Sequence, residues 1–228
     1  MFNSLPTVAI LGGTGHLGGG LAYQLAKKGY RVILGSRDAE KARCLAREIA
    51  ERAGRIVDGR DNHAAAAAAD VIILTVPYAH HQSTLEAIRD AVQGKIFVDA
   101  TVPLAPPAIT RVQLPAEGSV GRQTQNFLGP NVRVVSAFQN VAAVHLQEDR
   151  QHFDCDVLVC GNDPAARELV VKMAQDIGLQ AWHAGVIENS AVAEALVSVL
   201  LFMNKRYKIG GAGIRVTGEC KIKEPAAA

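Results

Sequence analysis

The sequence predicts an α/β fold: a Rossmann-type, doubly wound and mostly parallel sheet with a small C-terminal α/β extension. Short apolar strands alternate with helical segments at close spacing through residues 8–100, which favours a parallel sheet with helices on both faces. The first strand runs into a glycine-rich turn, and a helix follows at once. With 228 residues, 49% of them hydrophobic and 20% charged, the chain can form one domain with an appendage or two small domains.

In the N-terminal part, predicted strands and helices alternate. Val8–Leu11 is uninterrupted by polar residues, as expected for a strand that is covered on both faces. Gly29 ends the first helix, and Pro77 ends the strong buried strand Val71–Val76. The run Ala64–Ala69 predicts a short helix, because alanine is the best helix former. The other predicted elements are strands at Arg31–Gly35, Gly54–Gly59 (weak) and Lys95–Ala100, and helices at Leu17–Lys28, Asp38–Ala53 and His81–Val92.

Prolines at 103, 106, 107 and 115 interrupt the chain and predict a long loop over residues 101–130, broken by a short helix. A loop of this length inside a compact domain is often a lid or a binding loop. The remaining predicted elements are strands at Val132–Ala137, Val157–Cys160 and Gln180–His183, and helices at Asn140–Leu146, Pro164–Ile177 and Asn189–Lys205.

Composition narrows the classes of function. The formal net charge of +2 gives no electrostatic footprint for a nucleic acid or a membrane surface, so we expect neither as a partner. The four cysteines form no C-x-x-C, and their spacing suits neither zinc nor a disulfide framework, which predicts reduced thiols in a cytoplasmic protein. Met1–Ser4 shows no basic region followed by an apolar one, so no signal peptide is expected.

The longest apolar stretch, Val192–Met203, contains Glu194 and is too short to span a bilayer. It is more apolar than a surface helix should be. We therefore predict that this helix is buried, either in its own core or in the interface of a homodimer.

The glycine-rich turn carries the main functional signal. Gly13, Gly15 and Gly18 satisfy G-x-G-x-x-G between a strand and a helix, the context in which that pattern indicates dinucleotide binding. One glycine allows the tight turn, one lets the backbone approach a pyrophosphate, and the third lets the helix lie close to the strand. The helix N-terminus then faces the phosphates. The predicted cofactor-binding residues of this turn are Gly13, Thr14, Gly15, His16, Leu17 and Gly18.

The end of the second predicted strand distinguishes NAD from NADP. NAD-binding proteins usually have an acidic residue there, about 20 residues after the glycine turn, which accepts from the ribose 2′-hydroxyl. Here Ser36 and Arg37 hold that place, and a hydroxyl and a guanidinium can bind a 2′-phosphate that a carboxylate would repel. Lys41, one helical turn further, can add a second cation. Asp38 is the rival ribose acid, but its position fits a helix N-cap better, so we predict NADP.

One pair of residues looks catalytic but lies in the wrong context for that chemistry. Tyr23 and Lys27 match the Y-x-x-x-K pair of short-chain dehydrogenases, but they lie inside the first helix. That superfamily stays open as an alternative, because the spacing of Gly12, Gly15 and Gly18 also fits G-x-x-G-x-x-G, which occurs in its divergent members.

The histidine pair after Pro77 is better placed. Adjacent histidines on a helix point in different directions, and no cysteine or carboxylate cluster joins His80 and His81, so we predict no metal site. Val76, Pro77 and His80 leave the C-terminal end of a strand, where such sheets bind ligands, and we interpret them as a wall of the nucleotide site. No Ser/His/Asp, Cys/His or paired-carboxylate arrangement stands out, so no catalytic side chain is predicted.

Several blocks, in order and at matching spacing from about Val8 to Gly218, resemble the NADPH-dependent coenzyme F420 (8-hydroxy-5-deazaflavin) reductases. Ala9–Gly18 resembles the opening of that family, and Gly35-Ser36-Arg37 resembles its 2′-phosphate site. The other similar blocks are Thr75–Tyr78, Val135–Phe138, Asp154–Gly161, Asn204–Tyr207 and Gly211–Arg215.

The resemblance implies reversible hydride transfer between C4 of the nicotinamide of NADP(H) and C5 of the deazaflavin of coenzyme F420. Both reactive atoms belong to the small molecules, so no side-chain acid or base is strictly needed. We expect the nicotinamide near Val76, His80 and Ala137. The deazaflavin is then expected over it, below the 101–130 loop and beside Ser190.

Two alternatives remain open at this point. An NADP-dependent reductase of an imine or carbonyl would need a proton donor, for which Tyr78 or His80 is the candidate. A non-enzymatic redox sensor would bind NADP without turning over any acceptor. On the favoured interpretation, residues 1–130 form the NADP-binding Rossmann domain, residues 131–217 form a smaller subdomain on the second-substrate side, and residues 218–228 form a flexible tail.

Overall fold

The computed structural model describes residues 5–218; the Met1–Ser4 segment, the predicted tail beyond Gly218 and Cys220 lie outside this range. Within it, the strands are β1 (Thr7–Leu11), β2 (Arg31–Ser36), β3 (Val57–Asp61), β4 (Val71–Leu74), β5 (Ile96–Asp99), β6 (Arg133–Ser136), β7 (Asp156–Gly161) and β8 (Gln180–His183). The helices are α1 (His16–Lys27), α2 (Ala39–Ala53), α3 (Asn62–Ala67), α4 (His81–Ile88), α5 (Val120–Leu128), α6 (Ala143–Leu146), α7 (Pro164–Asp176) and α8 (Ser190–Tyr207). Short 3₁₀ turns, Tyr78–His80 and Ile187–Asn189, precede α4 and α8.

One sheet runs through the described chain in the order β3-β2-β1-β4-β5-β6-β7-β8. Neighbouring strands are parallel from β3 to β6, β7 is antiparallel to β6, and β8 is parallel to β7. The predicted Rossmann-type, mostly parallel sheet is therefore confirmed. Its strand order reverses between β1 and β4, the point at which doubly wound sheets bind ligands. Because β6 to β8 continue the same sheet, the division of the chain at residue 130 stays a prediction.

Apolar side chains cover both faces of the sheet. Val8 and Ile10 of β1 pack with α1 and α2 on one face, while Ala9 and Leu11 pack with α3 and α4 on the other. A strand buried on both faces needs an apolar residue at every position, which is why β1 reads as a continuous apolar run. This double covering leaves the carboxyl ends of the strands as the open edge where a site can form.

The largest departure from the sequence prediction is β3. A weak strand was expected at Gly54–Gly59, whereas Val57–Asp61 pairs with β2 along its whole length. Its central glycine allows α2 to lie against it, because a Cβ at Gly59 would come within 2.5 Å of the Ala42 carbonyl carbon. Polar residues in an edge strand carry little β propensity, so tertiary packing decided this element.

Two predicted helices are shorter than expected. Helix α4 ends at Ile88 rather than Val92, and α6 covers only Ala143–Leu146 of the predicted Asn140–Leu146. The short helix expected inside the 101–130 loop is α5, which Ser119 caps by accepting a hydrogen bond from the Arg122 amide. Residues 101–119 are the irregular remainder of that loop.

Helix α8 is longer than the apolar stretch that predicted it. With its preceding 3₁₀ turn it spans Ile187–Tyr207, 21 residues that contain an 18-residue window of mean hydropathy 1.3. The expectation of a segment too short for a bilayer, made for Val192–Met203, is therefore wrong for the whole helix by length and composition alone. A third of the apolar window is buried inside the fold. Glu194 and Ser198 on that side bind the backbone of α5 and of the 101–119 loop, which shows α8 packed against the domain along one face.

Candidate functional site

The turn between β1 and α1 has the close packing expected of a dinucleotide-binding turn. Gly12 has a φ of +76°, a left-handed conformation that disfavours other residues, and it supplies the tight turn. At Gly18 an added Cβ would lie 2.6 Å from Thr75 Oγ1 and 2.8 Å from Gly13 Cα, so glycine lets α1 approach the sheet. Helix α1 begins at His16 with no side-chain cap and no acidic residue in its first turn, which leaves a positive helix end facing the edge of the sheet.

The residues after β2 suit a phosphate better than a ribose hydroxyl. Ser36 ends β2, and Arg37 follows it at the surface. Asp38 caps α2, because its Oδ1 accepts hydrogen bonds from the amides of Glu40 (3.0 Å) and Lys41 (3.2 Å). The predicted N-cap role of Asp38 is thus confirmed, and its Oδ1 is already engaged. The Lys41 ammonium lies 4.0 Å from Asp38 Oδ2 and is mostly exposed.

A cleft of about 220 Å³ opens where these segments meet β4. The residues from the sequence prediction that line it are Thr14, Gly15, Ser36, Arg37, Val76, Pro77 and His80. Four further lining residues were not predicted: Gly12, Asn62, Thr75 and Thr84. Two of these could have been inferred from the sequence. Asn62 directly follows a strand that ends at the same sheet edge, and Thr84 lies one helical turn after His80.

The other predicted residues lie around the cleft without lining it. Gly13 and Gly18 are buried beneath the turn, and Leu17 is partly buried against the core. His16 lines an adjoining depression that shares Thr14 and Gly15 with the cleft, and there the Gln147 amide lies 3.2 Å from its Nδ1. Ala137 and Ser190 are fully buried, and Lys41 points to solvent.

The wall formed by the Thr75–His80 turn is tied to the sheet. The amide and the hydroxyl of Thr75 both donate to the Leu11 carbonyl at 2.9 Å. The His80 carbonyl accepts a hydrogen bond from the Thr84 hydroxyl at 2.7 Å, and its amide donates to the Pro77 carbonyl at 2.8 Å. These bonds hold Val76 and Pro77 at the rim of the cleft.

A buried polar cluster behind this wall was not predicted. Asp99, the last residue of β5, is 1% exposed, and its Oδ2 accepts from the His81 ring at 2.8 Å and the Thr124 hydroxyl at 2.6 Å. Its Oδ1 accepts from the Thr101 amide at 2.9 Å. Burial acts to raise the pKa of Asp99. The hydrogen bond and the charge of His81, together with hydrogen bonds from Thr124 and Thr101, outweigh burial and lower that pKa. The carboxyl is therefore held as a carboxylate.

A second buried carboxyl joins α8 to α5. Glu194 is 1% exposed, and its two oxygens accept from the amides of Val120 (2.7 Å) and Gly121 (3.0 Å), the first residues of α5. Burial raises the pKa of Glu194 to about 7, while the two backbone hydrogen bonds act in the opposite direction. An added Cβ at Gly121 would lie 2.9 Å from the Ser190 hydroxyl, so the two helices meet closely at this point.

The weaker constellations do not assemble in the cleft. The Arg52 guanidinium lies 4.4 Å from the ring centre of Tyr23, and Lys27 pairs with Asp149, so the Y-x-x-x-K match is structural. Within residues 5–218 no group of three His, Cys, Asp or Glu side chains is arranged to hold a metal. Burial raises the pKa of Tyr78, whose hydroxyl lies 3.4 Å from Gln123 Oε1.

Comparison with known proteins gives a consistent result. Residues 7–103 match the family model described as "NADP oxidoreductase coenzyme F420-dependent". The F420-dependent NADP reductase of Methanocaldococcus jannaschii is 43% identical over 220 residues, which cover 92% of this chain and 97% of that protein. The protein of the same name from Methanothermobacter thermautotrophicus is 41% identical over 219 residues, covering 92% and 94% of the two chains.

A solved structure supports the fold. The crystal structure of a protein from Arthrobacter sp. FB24, provisionally named an F420-dependent NADP-reductase, has a TM-score of 0.78 and 23% identity to this chain. The similarity covers 93% of this chain and 100% of that one. At that identity the likeness shows the shared architecture, while the two curated relatives show the family.

Proposed function

This chain belongs to the family of F420-dependent NADP reductases, and on that premise we propose that it transfers a hydride between NADP(H) and coenzyme F420. The observation that carries the proposal is the cleft at the carboxyl edge of the sheet. There the glycine turn, the uncapped start of α1 and the Ser36-Arg37 pair face the same space. Each of these three features favours an anionic dinucleotide.

The proposed NADP site uses two groups of residues. At the pyrophosphate, the backbone amides of Thr14, His16 and Leu17 donate hydrogen bonds. Gly13, Gly15 and Gly18 shape the turn, and the amides of Gly13 and Gly15 already donate to the carbonyls of Gly35 and Gly12. At the 2′-phosphate, Ser36 and Arg37 donate, and Lys41 adds positive charge. The N-cap role of Asp38 supports the choice of NADP, because its Oδ1 is engaged by the amides of α2 and the residues at the end of β2 are Ser36 and Arg37 rather than an acid.

The proposed hydride-transfer site lies beyond the Thr75–His80 turn. When bound, the nicotinamide supplies a hydride from C4 to C5 of the deazaflavin, and solvent supplies the proton that completes the reduced deazaflavin. Val76 and Pro77 offer an apolar wall that orients the ring and excludes water, with His80 beside it. Ala137 is fully buried, so its proposed place near the ring is beneath the surface of the site. Ser190 is fully buried between α5 and α8, so its proposed contact with the deazaflavin requires these helices to part on binding.

The first test is spectroscopic. The protein is mixed with NADPH and F420, and loss of the deazaflavin absorbance is followed. Binding of NADPH without any loss of that band would contradict F420 as acceptor and favour the imine or carbonyl reductase or the redox sensor.

The nucleotide site is tested with Arg37→Glu. Charge-assisted hydrogen bonds to a phosphate contribute about 1.5–3 kcal/mol, so we expect the Kd for NADPH to rise about 10- to 100-fold while weak NADH binding changes little. Arg47→Glu, at an exposed position of α2 outside the cleft, is the matched control. An unchanged Kd for NADPH in Arg37→Glu would show that the 2′-phosphate binds elsewhere.

We also propose that the protein is a cytoplasmic homodimer. Val192, Val199 and Phe202 of α8 are 65%, 44% and 53% exposed, an apolar face that a second copy would cover. Phe202→Lys is expected to shift the sedimentation coefficient towards that of a monomer. A monomeric wild-type protein would contradict the dimer. The cytoplasmic location is supported by the free thiols of Cys44, Cys155 and Cys160.

A further inference from the structure

The Asp99 cluster is connected to the cleft by His81, which bonds Asp99 and directly follows the cleft-lining His80. Thr124 donates its hydroxyl hydrogen to Asp99, so its 3.0 Å contact with His81 Nε2 requires the ring nitrogen to carry a proton, which it shares with the carboxylate. His81 directly follows His80, which lines the cleft. The His80 carbonyl is in turn held by the hydroxyl of Thr84, another lining residue. The carboxylate therefore anchors the start of α4 immediately behind the cleft wall.

Asp99 also fixes the opposite side. Its carbonyl accepts from the Ala137 amide at 3.2 Å and from the Gln139 side chain at 2.8 Å. Through Oδ1 and the Thr101 amide it orders the first residues of the 101–119 loop. One buried residue thus links four segments: the end of β5, the residue after β6, the start of α4 and the middle of α5.

We infer that Asp99 is a positioning residue for hydride transfer, holding the Val76–His80 wall through His81 at the distance from Ala137 that the nicotinamide ring requires. The inference rests on the proposed function, because that function places the nicotinamide against the Val76–His80 turn, with Ala137 buried beneath the other side of its site. Misplacing a reacting ring by about 1 Å is enough to slow a reaction by about two orders of magnitude. No side chain of the cluster needs to touch the substrates for this role.

The substitution Asp99→Asn removes the carboxylate and changes little else. It preserves the side-chain shape and the backbone carbonyl that binds Ala137 and Gln139. An amide has one acceptor oxygen, whereas the Asp99 carboxylate accepts three donors. With the NH₂ group at the Oδ1 position, the new amide faces the Thr101 N–H and the start of the 101–119 loop must move. With the NH₂ group at the Oδ2 position, His81 must carry its proton on Nδ1 and Thr124 must turn its hydroxyl, so the hydrogen bonds that hold the start of α4 are rearranged. Asp90→Asn is the matched control, because Asp90 also pairs with a histidine, His63 at 3.2 Å, but lies exposed.

The experiment compares steady-state kinetics with NADPH and with NADPH deuterated at the transferred position. For Asp99→Asn we expect kcat to fall about 10- to 100-fold while the KM for NADPH changes less than about threefold, because the 2′-phosphate site is remote. The primary isotope effect on kcat should exceed that of the wild type, since hydride transfer becomes rate-limiting. A purely structural role predicts instead that kcat falls with the fraction of molecules that bind NADPH, at an unchanged isotope effect, and that result would overturn the inference.

A second variant covers the case in which Asp99→Asn does not fold. Thr124→Val removes one hydrogen bond to Asp99, and Thr124→Ser keeps it. We expect the valine variant to show the lower kcat and the larger isotope effect of the two; equal values would contradict the inference. Should the wild type not reduce F420, the proposed function would fail separately. The fluorescence of bound NADPH would then decide, with an altered emission in Asp99→Asn expected and an unchanged one overturning the role.

Discussion

Replacing Glu194 with glutamine should change the pH dependence of stability in a predictable direction. The carboxyl is buried against the first amides of α5, and burial raises its pKa from an ordinary 4.5 to about 7. Between these values the folded protein binds the proton more tightly than the unfolded chain. The stability that Glu194 contributes is therefore complete below about pH 4.5 and is lost as the pH rises through about 7.

The magnitude follows from the two pKa values. Their difference corresponds to roughly 3 kcal/mol, because each pKa unit is worth about 1.4 kcal/mol. Glutamine cannot titrate, so the stability of Glu194→Gln relative to the wild type should rise by about 3 kcal/mol between about pH 4.5 and pH 8. A glutamine NH₂ group facing one of the α5 amides lowers the variant's stability at every pH. That offset does not alter the trend.

The assay is urea unfolding of both proteins across this pH range. Glu188→Gln, at an exposed position of the 3₁₀ turn before α8, is the matched control and should follow the wild type at each pH. A difference between Glu194→Gln and wild type that stays constant within about 0.5 kcal/mol would refute the reasoning, because the carboxyl would then not titrate between the stated values.

Two further predictions concern a glycine and the thiols. Gly18→Ala places a Cβ 2.8 Å from Gly13 Cα, so α1 must shift; we expect about 1–3 kcal/mol lower stability and weaker NADPH binding, measured by thermal unfolding and titration. Gly210→Ala, with no atom within 4 Å, should change neither, and equal behaviour of the two variants would contradict the packing argument. Burial, with the charge of Glu194, raises the pKa of Cys160 to about 11, so at about pH 8 iodoacetamide should alkylate exposed Cys44 well before Cys160. Peptide mass spectrometry checks the order, and equal rates would contradict the burial of Cys160.

The parts of the site that the sequence could predict are local. Gly13, Gly15 and Gly18 lie within one turn, and Asp38 caps amides two and three residues away. Interactions at such separations depend on backbone geometry that short patterns report. The same holds for β1 and β4, whose continuous apolar runs follow from burial on both faces.

The parts that could not be predicted join distant segments. Asp99 meets His81 and Thr124 across 18 and 25 residues, and Glu194 binds amides 73 and 74 residues earlier in the chain. A lone Asp or Glu in an apolar context reads as a solvated charge until its partners are known. The bounds of strand β3 were not predicted for a related reason. Its pairing with β2 and its packing on α2 stabilise a strand that its polar sequence does not indicate.

The sequence by itself therefore determined the doubly wound sheet and NADP as the coenzyme, and it predicts the residues of the nucleotide-binding turn and of the 2′-phosphate site. Each of these follows from periodicity or from spacing within a few residues. Only the tertiary structure decided which residues line the cleft, that Asp99 and Glu194 are buried carboxyls holding its surroundings, and that Ala137 and Ser190 lie beneath its surface. The physical reason is that burial and long-range hydrogen bonding arise only when the sheet brings the ends of separate strands to one edge.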